Sequence, residues 1–304
     1  MRPLPPQIRA LIDTDPGIDD GLALLLAWGT PALSVEWITT VAGNVPLDVA
    51  GRNVARLLDL RRPPRPPRVA AGAARPLARP LVTATAYHGD DGLGDVGDWP
   101  AVNDLADDVD AASLIVHAAR EAAGALTLIA LGPLTNVARA LEADAAAMSG
   151  IGRLVAMGGA VDVAGNVTPS AEFNIHLDPE AAARVMEAGL TLDLVPLDAT
   201  RQAVLPRADL EGCPGPFAAR AAAFSERGFR TDAARGTRGL TLHDPLAVAV
   251  AADPTLVTWE SVRLTIGSDG ETRRVAGPPN CRIARSVDTP RLLAMLLQAL
   301  CPAS

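Results

Sequence analysis

The chain has 304 residues, of which 27 are cationic and 35 acidic, giving a net charge of −8. All 27 cations are Arg, so chemistry that needs a lysine is excluded, including a Schiff base, a lysine general base and the P-loop site of ATPases. An acidic chain without lysine clusters is a poor binder of nucleic acids and anionic membranes, and no apolar run approaches the roughly 18 residues that suggest a membrane span.

The first 200 residues alternate strand-like and helix-like segments. Short apolar or β-branched runs predict strands, and longer runs with helical spacing predict helices. Strands are predicted at residues 8–12, 33–41, 126–131, 154–157 and 190–197, and helices at 18–28, 49–60, 111–123, 134–146 and 179–188. This alternation is typical of βαβ units joined by right-handed crossovers in a parallel sheet.

The last third of the chain is less regular. Helices are predicted at 217–228, 245–252 and 290–300, and three strand-like stretches lie between 257 and 283. Residues 61–68 contain four prolines and predict an exposed loop, with a binding segment for an acidic partner as the alternative. No repeat or linker interrupts the pattern, so we expect one α/β domain over residues 1–304.

The cysteines and the N-terminus bear on the cellular compartment. Cys213, Cys281 and Cys301 are odd in number and widely spaced, which predicts neither a disulfide framework nor a cysteine metal site. Residues 1–6 contain no apolar signal segment. Together these features predict a cytoplasmic protein.

Four carboxylates fall within eight residues after the first predicted strand, in Asp13-Thr-Asp-Pro-Gly-Ile-Asp-Asp20. Asp13 and Asp15 share a strand face, and Asp19 and Asp20 open the next helix, whose positive end favours anions. All four can meet at the carboxyl edge of the sheet, where open α/β sheets bind ligands. A divalent cation would keep such crowded acids ionised, and an all-oxygen set suits Ca²⁺ or Mg²⁺. The alternative is that the acids only begin a helix and cap a turn.

Further polar groups follow other predicted strands. Asn44 follows the second strand, where a simple turn is the alternative, and a Gly-Pro pair leaves the Leu131 carbonyl without a ladder partner. The loop after the strand at 154–157 carries Asn166, Glu172 and Asn174, which are side chains suited to sugar hydroxyls. Each residue alone is more often an ordinary loop residue, so their common position at strand ends carries the prediction.

The four histidines have different settings. His243 precedes Asp244, which is predicted to be either a helix N-cap or a site residue. His88 lies in a Gly-rich loop that could cover a site. His117, in an amphipathic helix, and His176, in a loop, are predicted to be structural.

Taken in order, these motifs resemble those of the inosine-uridine-preferring nucleoside hydrolase family, over about residues 8–250. The resemblance implies a single α/β domain with a mostly parallel, Rossmann-like sheet. It also implies a bound Ca²⁺ and hydrolysis of the N-glycosidic bond of ribonucleosides to ribose and free base. The motifs are Asp13-Thr-Asp-Pro-Gly-Ile-Asp-Asp20, Gly43-Asn44, Gly132-Pro-Leu-Thr-Asn136, Met157-Gly-Gly159, Glu172-Phe-Asn174 and His243-Asp-Pro245.

Carried over by position, the resemblance assigns the metal site to Asp15, Asp20, Asp244 and the carbonyl of Leu131. Asp15 would also be the general base on a calcium-bound water, and Asp13 would support the site from behind. The other positions would contact the nucleoside: Asp19 and Asn44, with Asp244, at the 2′- and 3′-hydroxyls, Asn166, Glu172 and Asn174 at the 5′ side, and His88, Met157 and Phe173 elsewhere in the pocket.

The leaving base must depart as an anion or take a proton. His243 is the first candidate for the acid and His88 the second. Some family members carry a Tyr before the His-Asp-Pro motif, where this chain has Phe224, Phe229 and an Arg-rich segment at 231–238; its one Tyr is Tyr87. We expect this segment and the loop at His88 to set the base preference, with purines and pyrimidines both open.

Two other functions remain as alternatives. One is a phosphatase of the haloacid-dehalogenase type, because Asp13-Thr-Asp15 mimics its nucleophile motif, although this chain lacks the lysine that such chemistry normally uses. The other is a catalytically silent nucleoside or sugar sensor. The family resemblance further suggests a homodimer or homotetramer and a small-molecule ribonucleoside as the only partner class.

Overall fold

A computed structural model describes residues 7–103 and 109–301, so the prediction made for residues 1–6 lies outside the described residues. The strands are β1 Ile8–Thr14, β2 Leu33–Thr40, β3 Arg68–Ala71, β4 Leu126–Ala130, β5 Arg153–Met157, β6 Leu192–Val195, β7 Val204–Leu205, β8 Leu240–Thr241, β9 Val257–Val262, β10 Leu264–Ile266, β11 Thr272–Arg274 and β12 Cys281–Val287. The helices are α1 Ile18–Gly29, α2 Leu47–Arg61, α3 Thr85–His88, α4 Ala111–Ala122, α5 Thr135–Ala143, α6 Ala145–Ser149, α7 Phe173–Leu177, α8 Pro179–Met186, α9 Leu197–Thr200, α10 Arg207–Glu211, α11 Pro216–Ala234, α12 His243–Ala252 and α13 Thr289–Leu300.

The central sheet has eight strands in the order β3-β2-β1-β4-β5-β6-β12-β9. Every neighbouring pair is parallel except β12 and β9, which are antiparallel at one edge. From β1 the chain adds β2 and β3 on one side. It then returns and adds β4 and the later strands on the other side of β1. This reversal beside β1 creates the crevice in which α/β sheets bind ligands. The mostly parallel α/β sheet predicted from the sequence is confirmed.

Helices cover both faces of the sheet and bury two apolar layers. One layer includes α1, α11, α12 and α13, and the other includes α4, α5 and α8. Helix α1 is buried at every position from 18 to 27, because it packs against β2 of the sheet and against helices α11, α12 and α13. After the two acids of its first turn, its sequence is apolar on every face, which fits that position. Among the described helices, none combines the length and apolarity needed to cross a bilayer.

The largest differences from the predicted elements concern short ones. The predicted helix at 134–146 is two helices, because Asp144 ends α5 and its side chain caps α6 through the backbone N–H of Ala147. The predicted strand at 190–197 stops at Val195. The predicted loop at 61–68 is largely exposed, but it begins in α2 and ends in β3. Elements of four or five residues, such as α3, α7 and α9, are too short for a periodic signal.

The prediction that the chain lacks a disulfide is wrong. Cys213 and Cys301 form one, with their Cα atoms 6.0 Å apart and a sequence separation of 88. The bridge joins the segment before α11 to the end of α13, which packs against α11. Cys281 is free and buried. The pairing depends on how distant helices dock, which cysteine spacing does not encode, and it removes the argument from cysteines for a reducing compartment.

Candidate active site

A cavity of about 320 Å³ opens beyond the carboxyl ends of the central strands, a size typical of small-molecule sites. Asp15 and Asp20 are fully buried next to it. Its wall contains most residues that the sequence singled out, namely Asp19, Asn44, His88, Leu131, Met157, Asn166, Glu172, Phe173, Asn174, His243 and Asp244. Residues from distant parts of the chain thus meet in one place.

Three carboxylates cluster at the cavity, where Asp19 and Asp244 line the wall and Asp20 is buried beside them. One oxygen from each of Asp19, Asp20 and Asp244 lies within 4.8 Å of the others, and all three residues are buried. Burial and then the charge of Asp20 raise the pKa of Asp19 to about 8. Burial, followed by the charges of Asp19, Asp20 and Asp15, raises the pKa of Asp244 well above its usual range. The three carboxylates repel one another when all of them are ionised, unless a cation is bound among them.

Asp15 lies at the end of β1 between two glycines. A Cβ atom on Gly43 would lie 2.1 Å from its Oδ2, and one on Gly132 would lie 2.5 Å from its Oδ1. Oδ2 accepts a hydrogen bond of 2.6 Å from the backbone N–H of Asn44. Oδ1 is buried and has no hydrogen-bond partner among the described residues. Burial, and next the charge of Asp20, raises the pKa of Asp15 well above its usual range.

Asn44 and Asp20 connect the segment after β2 to the first turn of α1. The Asn44 amide donates to Asp20 Oδ2 at 3.0 Å, and the same oxygen accepts from the backbone N–H of Gly17 at 3.0 Å. Asp20 Oδ1 accepts from the hydroxyl of Thr14. These donors fix the Asp20 carboxylate at the positive end of α1, as expected for an acid in the first turn of a helix.

Asp13 lies one layer beneath the cavity. Its Oδ1 accepts from the Thr39 hydroxyl at 2.6 Å and from the Asn136 amide at 2.7 Å. Asn136 also accepts from the backbone N–H of Ala73 and donates to the carbonyl of Thr40. Burial raises the pKa of Asp13 to about 7, against the effect of these hydrogen bonds. Asp13 therefore joins the ends of β1, β2 and β3 and does not line the cavity.

Glu172 and Asn174 organise the opposite wall at the start of α7. Glu172 caps the helix by accepting from the backbone N–H groups of Asn174 and Ile175, and it also accepts from that of Gly159. Asn174 donates to the carbonyls of Leu131 and Met157, at 2.6 Å and 3.2 Å. The Leu131 carbonyl thus has a side-chain donor, and its second lone pair is available for another partner.

The loop that carries Asn166 is held at both ends. Asn166 Oδ1 accepts from the backbone N–H of Phe173, which ties the loop to α7. At its start, the Asp198 carboxylate accepts from the backbone N–H groups of Val161 and Asp162, each at 2.9 Å. Arg285 pairs with Asp198 at 3.1 Å. These contacts keep the loop beside the cavity.

His88 and His243 face the cavity from two other segments. The Nδ1 of His88 accepts from the backbone N–H of Ile18 at 3.0 Å, so the neutral imidazole carries its proton on Nε2. The Nδ1 of His243 contacts the hydroxyl of Thr200 at 2.8 Å. Burial lowers the pKa of each imidazole to about 4. Both are therefore neutral hydrogen-bonding groups near pH 7.

Two sequence predictions, one for Asp244 and one for His176, need correction. Helix α12 begins at His243 with Leu242 as its N-cap, so Asp244 lies in the first turn and is not the cap. Its side chain joins the carboxylate cluster instead. His176 lies in α7 rather than in a loop and contacts the Asp269 carbonyl. His117 is outside the cavity and pairs with Glu121 on α4.

The predicted specificity region contains residues that the sequence did not single out. Phe224 and Phe229, which replace the expected Tyr segment, are buried in the core. Besides Phe173, an aromatic side chain at the cavity is Tyr87, from α3, and the guanidinium of Arg235 lies 5.4 Å from its ring centroid. Thr231 also lines the wall. The aromatic side chain therefore comes from a different element than the resemblance suggested.

The donor set fits a hard divalent cation. Every group around the cluster offers oxygen, and the buried Asp15 Oδ1 lacks a partner although unpaired buried carboxylate atoms are costly. A cation here would neutralise acids that otherwise repel each other.

Comparisons with known proteins agree with this geometry. The family model described as inosine-uridine preferring nucleoside hydrolase matches residues 10–294. A pyrimidine-specific ribonucleoside hydrolase, RihA, from Salmonella schwarzengrund is 38% identical, covering 82% of this chain and 80% of its own. Two solved structures are similar over nearly their whole length. A plant nucleoside hydrolase, PpNRh1, has a TM-score of 0.92 and 32% identity, covering 98% of this chain and 100% of its own. A purine-preferring ribonucleoside hydrolase from Gardnerella vaginalis has a TM-score of 0.91 and 30% identity, covering 96% and 98%.

Proposed function

This chain belongs to the inosine-uridine preferring nucleoside hydrolase family, and from that membership we propose how its own residues hydrolyse ribonucleosides. The enzyme cleaves the N-glycosidic bond to give ribose and a free nucleobase. The observation that carries the residue assignment is the cluster of Asp19, Asp20 and Asp244, with the buried Asp15 close enough to act on their charges, at a cavity of about 320 Å³ that Asp19 and Asp244 line. Those acids suit a reaction in which positive charge develops on the sugar.

The metal in our proposal is Ca²⁺. Asp15, Asp20 and Asp244 would hold it, together with the carbonyl of Leu131, and Asp19 would lie beside it. The unpartnered Oδ1 of Asp15 and the free lone pair of the Leu131 carbonyl support this set. Ca²⁺ accepts six to eight oxygen ligands in flexible geometry, which an irregular cluster of carboxylates and substrate hydroxyls can satisfy. When bound, the ion would orient the attacking water and increase its acidity.

Asp15 is the general base in this proposal. Its carboxylate is fixed by the two flanking glycines and by the Asn44 backbone, so it is presented in one orientation. It removes a proton from the attacking water as the bond to the base lengthens. Asp19 and Asn44, which line the cavity, hold the 2′- and 3′-hydroxyls of the ribose.

The opposite wall holds the other side of the sugar. Asn166, Glu172 and Asn174 would receive the 5′ side of the ribose, with Met157 and Phe173 completing the pocket. Because Glu172 and Asn174 are held by backbone groups of α7, β5 and the β4 end, their positions are set before substrate binds. Such pre-organisation lowers the entropic cost of reaching the transition state.

The departing base meets the two histidines. His243 donates a hydrogen bond to the base as the N-glycosidic bond breaks, and His88 offers its Nε2–H from the neighbouring segment. Because both imidazoles are neutral near pH 7, they stabilise the leaving group by donating an N–H hydrogen bond rather than as cations; in His243 this is the Nε2–H when Nδ1 accepts from the Thr200 hydroxyl. His243 is the primary donor in this proposal.

A panel of nucleosides tests the activity directly. We expect release of ribose from at least one of inosine, adenosine, uridine and cytidine, measured as reducing sugar. The panel spans purines and pyrimidines because the similar proteins bear names of both kinds. Absence of release from every nucleoside would favour the sensor alternative, and phosphate release from a phosphate ester instead would favour the phosphohydrolase alternative.

Substituting His243 separates leaving-group stabilisation from the rest of the reaction. We expect His243→Ala to slow the hydrolysis of natural nucleosides by roughly 10²-fold or more. Hydrolysis of p-nitrophenyl riboside should change much less, since its leaving group needs little stabilisation. His117→Ala, on the exposed face of α4, is the matched control and should behave like wild type. An equal loss on both substrate types would remove His243 from the role.

A further inference from the structure

Asp232 is a buried carboxylate near the cavity that none of the proposed chemical steps uses. It lies in the last turn of α11 and is 5% exposed. Among the described residues, no Arg or His side chain lies within ion-pair distance of it. A buried acid without a counter-ion is costly unless several donors satisfy it. Its donors therefore indicate why this position carries an acid.

The donors of Asp232 come from the two segments that carry the cavity histidines. Oδ1 accepts from the phenol of Tyr87 at 3.1 Å. Oδ2 accepts from both the backbone N–H and the hydroxyl of Thr241, each at 2.9 Å. Tyr87 directly precedes His88, and Thr241 lies two residues before His243. One carboxylate thus joins both segments to the same helix.

The Tyr87 side of this link also touches His88 itself. The two rings meet edge to face, with centroids 4.8 Å apart. Tyr87 is held from one side by Asp232 and from another by the guanidinium of Arg235. The ring therefore has little freedom to rotate, and the His88 imidazole packs against a fixed surface.

The Thr241 side acts through the backbone. Thr241 ends the short strand β8, and the chain then passes through Leu242 into α12, where His243 is the first residue. Two hydrogen bonds from one residue to one carboxylate oxygen fix the end of that strand. The entry angle of α12, and with it the place of His243, follows from that anchor.

We propose that Asp232 is a positioning residue that sets His88 and His243 relative to one another at the base end of the cavity. This inference rests on the leaving-group role of the histidines in the proposed function. Among the described residues, no hydrogen bond joins the two histidine segments directly; each is bonded to α11, a 19-residue helix that is packed into the core. Asp232 therefore acts on the reaction only through the two imidazoles.

Mutant cycles with kinetic readouts test this role. We expect Asp232→Ala to lower kcat for inosine or uridine by roughly 10²-fold, the cost of a small misplacement of catalytic groups, with a much smaller loss on p-nitrophenyl riboside. Tyr87→Phe keeps the ring and removes one anchor, and should have no further effect in a His88→Ala background. Thr241→Val should likewise have no further effect in a His243→Ala background. Effects through different histidines should multiply, as for independent sites.

Controls separate positioning from stability. Glu226→Gln removes another carboxylate from α11, one that pairs with Arg207 away from the cavity, and should match wild type. Thermal unfolding of each variant shows whether it folds, and Tyr87→Phe and Thr241→Val remain informative if Asp232→Ala does not. The positioning role would be overturned if Tyr87→Phe still lowered kcat in the His88→Ala background and Thr241→Val still lowered it in the His243→Ala background. It would also be overturned if Asp232→Ala lowered kcat equally for natural nucleosides and for p-nitrophenyl riboside. Wild-type behaviour of His88→Ala and His243→Ala would overturn the leaving-group role and the positioning role with it.

Discussion

Asp15→Ala should abolish ribose release, with kcat/KM falling by about 10³-fold or more, since a general base alone contributes 10²–10⁴-fold. The variant loses both the proton acceptor and one proposed ligand of the metal. Its measurement is steady-state turnover of the best nucleoside from the panel at saturating Ca²⁺. The geometry makes the loss hard to compensate, because Asp15 alone occupies the space between Gly43 and Gly132.

Asp15→Asn divides the two roles. The amide keeps an oxygen for the metal but cannot take a proton, so we expect turnover to remain low while Ca²⁺ still raises the melting temperature. Asp48→Asn is the matched control, because Asp48 lies in the first turn of α2 with a largely exposed side chain. Turnover by Asp15→Ala close to that of wild type would contradict the assignment.

Removal of bound metal should have an effect of similar size. Exhaustive chelation should reduce turnover to background and lower the melting temperature, since the buried acids would then repel each other. Added Ca²⁺ should restore both, with a stabilisation of about 2.7 kcal/mol at a free concentration one hundred times the dissociation constant. Mg²⁺ should be less effective, because it demands near-octahedral geometry and keeps several waters.

Variants of the cluster make the metal test specific. Asp20→Asn and Asp244→Asn should each reduce the Ca²⁺-dependent rise in melting temperature, whereas Asp48→Asn should keep it. This readout does not depend on turnover. Full activity in protein shown by elemental analysis to be free of metal would refute the proposed cofactor.

Much of the fold was predictable because the chain alternates elements with clear periods. β1 and α1 were visible as an apolar run followed by a buried helix, and the convergence of Asp15, Asp19 and Asp20 followed from strand alternation and the helix start. The strand order and the antiparallel edge formed by β9 were not visible, because pairing between distant strands leaves little trace in one sequence.

The site was predictable where it is encoded locally and not where it is assembled from distant segments. In the sequence, Asp232 is one acid in an Arg-rich stretch. Its proposed role depends on Tyr87 and Thr241, which lie 145 and 9 residues away. Tyr87 was noted only as the single Tyr of the chain. The disulfide between Cys213 and Cys301 likewise depends on the docking of α13. In each case the information lies in tertiary packing rather than in spacing.

The two glycines that flank Asp15 have a practical consequence for engineering. Any mutagenesis library aimed at new sugars or bases should leave Gly43 and Gly132 unchanged, since every other amino acid would displace the carboxylate between them. Diversity belongs instead at positions such as Val82, an exposed side chain, and Thr83, which also line the cavity. The positions with the smallest side chains are therefore the least replaceable in a redesign of this pocket.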